Sequence, residues 1–129
     1  MILVDSSVWV DFFGGSPGRG GSELRRIIEE SEPFAITGVV VAEVLQGLTR
    51  DVAMIERLLA NCDMLEPDGF ETYRHAAGMY RAARAKGVTL TTIDTLIAAI
   101  AIEHGAKVFT LDQDFSRMAR LTALELYRF

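Results

Sequence analysis

Short apolar runs and helical periodicities alternate along this chain. Met1-Ile2-Leu3-Val4 has the length and composition of a buried parallel strand, and Lys107-Val108-Phe109-Thr110-Leu111 is a second run of the same kind. Phe34-Ala35-Ile36-Thr37 predicts a third strand, Met64-Leu65 a weaker fourth, and Leu124 to Leu126 a final one. Between them the apolar spacing turns helical. Leu24, Ile27 and Ile28 mark one helix face, Val40, Val44 and Leu48 another, and Met54, Leu58 and Leu59 a third. Asp68 to Lys86 predicts a longer helix with Phe70, Tyr73, Ala77 and Tyr80 towards the core and Gly87 as its stop. A last helix starts after Thr92 and ends at His104-Gly105.

Strands alternating with helices predict an α/β fold, with a mainly parallel central sheet of four to five short strands flanked by helices. Residues 1–129 fit one domain, since a chain of 129 residues buries a sufficient core without a disulfide or metal staple. The one glycine-rich stretch, Gly14 to Gly21, lacks a P-loop lysine pattern and a directly preceding strand, so it reads as a flexible surface loop.

Composition narrows the setting. The single cysteine, Cys62, makes no internal disulfide, and no cysteine-histidine cluster exists for zinc. The apolar N-terminus is cut off by Asp5 before it reaches signal-peptide length, and Leu96 to Ile102 is too short to cross a bilayer. The cytoplasm is the expected compartment. A net charge of −5 argues at first against a nucleic-acid partner, because phosphates are bound by clustered cations. Five of the 18 acids, however, occupy chemically conspicuous positions, and the remaining 13 match the 13 Lys and Arg residues.

Those five acids are Asp5, Glu43, Asp94, Asp112 and Asp114. Asp5 and Asp112 directly follow the first and the late apolar runs, and ligands of parallel sheets bind beyond the carboxyl ends of strands. Helix capping is the alternative for each alone. Asp94 falls on the same helical face as Ile97, Ala98 and Ala101, where an ionised carboxylate costs several kcal/mol by order of magnitude unless a cation or hydrogen bonds compensate it. Glu43 has Val39 and Val40 one turn before it and Gly47 one turn after, and that glycine predicts a close approach to the backbone. An oxygen-only donor set suits Mg²⁺ or Mn²⁺, and such ions serve in-line phosphodiester cleavage.

Four strings then resemble one family. Leu3-Val4-Asp5-Ser6-Ser7-Val8-Trp9 is similar to the opening of PIN-domain nucleases, and Val41-Ala42-Glu43-Val44-Leu45-Gln46-Gly47 to their second motif. Thr92-Ile93-Asp94-Thr95-Leu96-Ile97-Ala98-Ala99 resembles the third, and Thr110-Leu111-Asp112-Gln113-Asp114-Phe115 the fourth. The resemblance spans almost the whole chain. It implies a PIN fold with a catalytic, metal-holding quartet of Asp5, Glu43, Asp94 and Asp112 around Mg²⁺ or Mn²⁺. Asp114 is an auxiliary metal acid in this reading, while Ser6 and the Thr110 hydroxyl orient a carboxylate or a water. The length is similar to that of stand-alone VapC toxins. That likeness implies cleavage of tRNA or ribosomal RNA, silencing by a small VapB antitoxin, and a homodimer.

Arg81, Arg84 and Lys86 form a basic cluster before the third motif and are candidates to hold RNA phosphates, against the plainer role of complementing a helix C-terminus. Trp9, Phe12 and Phe13 read as core, and His75 and His104 receive no catalytic role. Two other functions compete: a housekeeping RNA-processing nuclease of the same family, and a non-catalytic acidic binding module. A phosphatase of the haloacid-dehalogenase type needs an aspartate where Ser7 stands.

Overall fold

The computed structural model describes all residues 1–129. Four short strands, β1 (Ile2–Val4), β2 (Ala35–Ile36), β3 (Asp63–Met64) and β4 (Lys107–Phe109), form one sheet in the order β3-β2-β1-β4. Every pairing is parallel. Parallel neighbours require crossovers, and seven helices supply them: α1 (Ser6–Phe13), α2 (Arg19–Glu29), α3 (Gly38–Gln46), α4 (Val52–Ala60), α5 (Gly69–Ala85), α6 (Thr92–Glu103) and α7 (Gln113–Leu121). The expected last strand reduces to a single parallel bridge between Val108 and Leu126, so that the C-terminal segment lines the β4 edge.

β1 lies between β2 and β4, so the chain leaves β1 towards one side and returns through β4 on the other. Such a switch point opens a crevice beyond the carboxyl ends of the two strands. Leu3, Val4, Val108 and Phe109 are fully buried, and Ile97 to Ala101 of α6 are at most 3% exposed, which makes α6 the central helix. No helix is long and apolar enough to cross a membrane.

Expectations of three kinds are corrected, the first being the core faces of α5 and α4. The core face of α5 is Thr72, Ala76, Met79 and Ala83, whereas Phe70 is 77% and Tyr73 52% exposed. The α5–α6 contact is the most extensive pair of elements, and close helix approach selects small side chains at the seam, which displaces the aromatics outward. On α4 the buried residues are Ile55 and Leu59, with Met54 exposed.

The glycine-rich stretch is the second correction: from Arg19 onward it is helical, and Gly20 and Gly21 are buried in the first turn of α2. A Cβ on Gly21 would stand 2.9 Å from the backbone of Asp11 and Phe12, so glycine here permits α2 to touch α1. The Asp11 carboxylate accepts from the Gly18 and Gly21 N–H groups at 2.7 to 3.1 Å, capping α2 from the neighbouring helix. Those backbone donors hold the Asp11 carboxyl below its ordinary value. Third, Gly47 merely ends α3; no side or main chain crowds it within 3.8 Å. Gly87 and Gly105 do terminate their helices, with φ of 80° and 64° that favour glycine.

Candidate functional site

Topology brings the acids to one end of the sheet. Asp5 follows β1 as the N-cap residue of α1, and Asp112 follows β4 as the N-cap of α7, where its side chain accepts from the Asp114 N–H at 2.9 Å. Because β1 and β4 are adjacent, their exits are neighbours. α6 runs into β4, so its first turn lies at the same end, and Asp94 sits there. Glu43 is on α3, the helix that leaves β2.

Carboxylate oxygens of Asp94, Asp112 and Asp114 lie within 4.8 Å of one another. Asp5 and Glu43 are joined through Ser6, and both lie near enough to that group for their charges to act on it. The Ser6 hydroxyl donates to Glu43 Oε1 at 3.1 Å and lies 3.5 Å from Asp5 Oδ1. The opposite oxygen of Asp5, Oδ2, accepts from Ser7 at 2.8 Å and from Thr110 at 2.8 Å. Thr110 Oγ1 in turn accepts from the Asp112 N–H at 2.9 Å, and Ser7 Oγ from the Leu111 N–H at 2.9 Å. Two hydroxyls therefore pin Asp5 to the β4 exit and leave Oδ1 facing Ser6 and Glu43.

Electrostatics record the crowding. Burial, with repulsion from Asp112, Asp5 and Asp114, pushes the Asp94 carboxyl up to about 6, against the lowering effect of the Thr91 hydroxyl. Burial also raises Glu43, aided by Asp5 and Asp112 and opposed by the Ser6 hydrogen bond. Of the five acids only Asp114 has a cationic partner within 4 Å, Arg117 at 3.3 Å. Such a set of oxygen donors, short of positive charge, matches a hard divalent cation.

The remaining candidates lie elsewhere. Arg81, Arg84 and Lys86 are exposed on and just after the last turns of α5. His75 stands 3.8 Å from Glu103, and the His104 ring contacts the Glu66 carbonyl at 2.8 Å. Trp9 is fully buried and stacks on Phe13 at 5.7 Å, as core packing predicts. Ser7 is the contributor that sequence reading passed over. Its one signal is a second hydroxyl in the turn that follows Asp5.

An all-parallel sheet with carboxylates gathered beyond its strand ends defines an α/β domain with a candidate metal site, and comparison with known proteins makes the class specific. The PIN domain family matches residues 2–121, and the chain belongs to that family. Two full-length relatives are 40% identical over 133 residues, covering 100% of this chain and 99% of their own: "VapC ribonuclease Mb1587" of Mycobacterium bovis and "Ribonuclease VapC11" of Mycobacterium tuberculosis. Among solved structures, VapBC2 from Rickettsia felis bound to a promoter DNA fragment superposes with a TM-score of 0.77 at 18% identity, covering 100% of this chain and 99% of that one. The sarcin-ricin loop cleaving toxin VapC20 of M. tuberculosis gives a TM-score of 0.70 at 16% identity, covering 97% and 99%. Both support the PIN fold.

Proposed function

We propose that this protein is a metal-dependent endoribonuclease acting as the toxin of a type II VapBC toxin–antitoxin pair. The observation that carries the reading is the gathering of Asp94, Asp112 and Asp114 oxygens within 4.8 Å of one another, with Asp5 and Glu43 linked through Ser6 near them and little positive charge to balance the set. Full-length similarity to ribonucleases named VapC supplies the substrate class. Asp5, Glu43, Asp94 and Asp112 are the catalytic quartet, and Asp114 assists as a further acid. Mg²⁺ or Mn²⁺ held by these carboxylates would supply a nucleophile at neutral pH and neutralise charge on the phosphodiester.

The chain's own residues prepare that chemistry. Ser6 links Asp5 to Glu43, while Thr110 and Ser7 hold Asp5 and the β4 exit in register. Thr91 caps α6 by accepting from the Asp94 N–H at 3.1 Å, which fixes the helix start that presents Asp94. Arg81, Arg84 and Lys86 are candidate phosphate contacts outside the carboxylate cluster, Arg81 sharing a groove with Thr92 and Thr95 at the start of α6. The substrate is structured RNA, tRNA or ribosomal RNA. A cognate VapB-type antitoxin and a second copy of the chain are the partners, and the cytoplasm is the site of action.

The test is incubation with labelled tRNA and ribosomal RNA in Mg²⁺ or Mn²⁺. Cleavage leaving 5′-phosphate and 3′-hydroxyl ends, abolished by EDTA, by Asp5→Asn and by Asp94→Asn, is expected. Cleavage that survives chelation or Asp94→Asn contradicts the mechanism. Sequencing of RNA ends after brief expression in cells then identifies the target.

A further inference from the structure

A cavity of about 670 Å³ opens at the β4 edge, between the outer face of α7 and the C-terminal segment. Its apolar wall is Leu124, Leu126, Tyr127 and Ala119, and its rim carries Lys107, Arg120 and Arg128 against one acid, Glu125. None of these three cations has a carboxylate within 4 Å, and all three are exposed. Arg26, Arg74 and Arg117 are neutralised by Glu23, Glu30 and Glu32, by Glu71 and by Asp114, and Arg25, Arg50, Arg57, Arg81, Arg84 and Lys86 are unpaired as well; what sets Lys107, Arg120 and Arg128 apart is that they gather around one cavity. On a chain of net charge −5, an unpaired excess of positive charge around one concavity is a local reversal of sign.

α7 connects this cavity to the acidic crevice. Its first turn holds Asp114, and Ser116, Ala119 and Arg120 line the cavity along one helical face. Arg120 lies six residues beyond Asp114, about 9 Å further along the helix axis. One helix thus carries a carboxylate-rich end, suited to the reacting phosphate, and a cationic end within one or two nucleotides of it. The volume falls in the range of roughly 300–1,000 Å³ that accommodates a bound ligand of nucleotide size, with apolar wall for a base and guanidinium groups for phosphate.

We propose that this cavity is a second RNA contact, in which Lys107, Arg120 and Arg128 receive backbone phosphates of the strand running away from the acidic crevice along α7. The inference rests on the ribonuclease reading and adds a binding site remote from the carboxylates. Phosphate contacts fix register without reading sequence, so this site holds the strand while the crevice cuts it.

Fluorescence anisotropy with labelled bulk tRNA in EDTA tests binding without cleavage. Arg120→Ala/Arg128→Ala is expected to weaken binding roughly tenfold near physiological salt and to lower the slope of log affinity against log salt by about 1.5. Arg57→Glu on α4 changes net charge by the same amount and is expected to leave both unchanged, and Arg120→Lys/Arg128→Lys to keep the wild-type slope. If wild type binds tRNA but the double alanine variant binds with the same slope, or if Arg57→Glu matches its loss, the cavity is not an RNA site. That includes the case in which the cavity serves an acidic protein segment. If the wild-type protein binds no tRNA and cleaves neither tRNA nor ribosomal RNA, the ribonuclease reading fails and the cavity proposal with it.

Discussion

The Thr110 hydroxyl donates to Asp5 Oδ2 at 2.8 Å, joining two residues separated by 105 positions in the chain. Thr110 Oγ1 also accepts from the Asp112 N–H, so a single hydroxyl couples the exits of β1 and β4. Thr110→Val removes that coupling while preserving shape. In the proposed site Asp5 would hold the metal, and loss of an outer hydrogen-bond partner of such a carboxylate typically costs about 10–100-fold in metal affinity or activity. Thr110→Ser is expected to restore most of it. The readout is Mn²⁺ titration followed through the thermal shift, alongside cleavage rate. A valine variant indistinguishable from wild type in both would remove Thr110 from the site.

Asp94 gives a pH prediction whose sign is fixed by burial. Its folded-state value, about 6, lies above that of an unfolded aspartate, so the neutral form is the one favoured by folding. Its contribution to stability is complete below about pH 4 and is lost as the pH rises through 6. In EDTA, the stability of wild type relative to Asp94→Asn is therefore expected to fall between pH 4 and pH 7. At pH 7 the asparagine variant is expected to be the more stable, by about 1–3 kcal/mol. Mg²⁺ or Mn²⁺ at pH 7 raises the wild-type melting temperature and leaves Asp94→Asn unmoved. A pH-independent difference between the two proteins would show that Asp94 is not held under strain by its surroundings.

The α1–α2 contact predicts a graded glycine series. At Gly15 an added Cβ meets nothing within 4 Å; at Gly20 it meets the Leu111 side chain at 2.8 Å; at Gly21 it meets backbone at 2.9 Å. Side chains can yield and backbone cannot, so Gly15→Ala is expected to be neutral, Gly20→Ala mild, and Gly21→Ala to cost about 1–3 kcal/mol. Urea melts followed by the fluorescence of the sole tryptophan, the buried Trp9, measure all three. Equal effects at Gly15 and Gly21 would mean the two helices do not approach as closely as described.

That contact also marks a boundary of what the sequence discloses. Asp5 and Asp112 were conspicuous because each directly follows an apolar run, Asp94 and Glu43 because each conflicts with its apolar neighbourhood, and such conflicts gather where function requires them. Strand composition likewise disclosed the parallel sheet, though Leu124 to Leu126 pairs through one bridge only. Gly20 and Gly21 were read as loop because glycine is a weak helix former, and the offsetting Asp11 cap comes from another helix, outside any local window. Ser6 and Thr110 were legible through the motif resemblance, whereas Ser7 carries no hydrophobic or charge signal, and its hydrogen bonds to Asp5 and to the Leu111 N–H arise only where β1 and β4 meet. The candidate acids and two of their hydroxyl partners were thus visible as residues, and the third hydroxyl was not.

The α5 misassignment leads to the last prediction. Phe70, Tyr73, Ala77 and Tyr80 do form a helical stripe, but the buried stripe is Thr72, Ala76, Met79 and Ala83, one position aside. Phe70 at 77% and Tyr73 at 52% exposure face outward while Tyr80 is half-buried against the core as expected, and a groove of about 330 Å³ beside them is lined by Tyr73, Ala77, Tyr80 and Leu96. Clustered exposed aromatics of this kind are characteristic of contact surfaces, and the homodimer proposed above would bury them. Tyr73→Asp is expected to shift the protein from dimer to monomer in light scattering after size-exclusion chromatography, while the monomer keeps its cooperative thermal transition because residue 73 points away from the core. Arg57→Asp on the exposed face of α4 serves as the charge control and is expected to remain dimeric. A wild-type protein that is monomeric throughout the micromolar range, or a Tyr73→Asp variant that stays dimeric, would assign this stripe some other purpose.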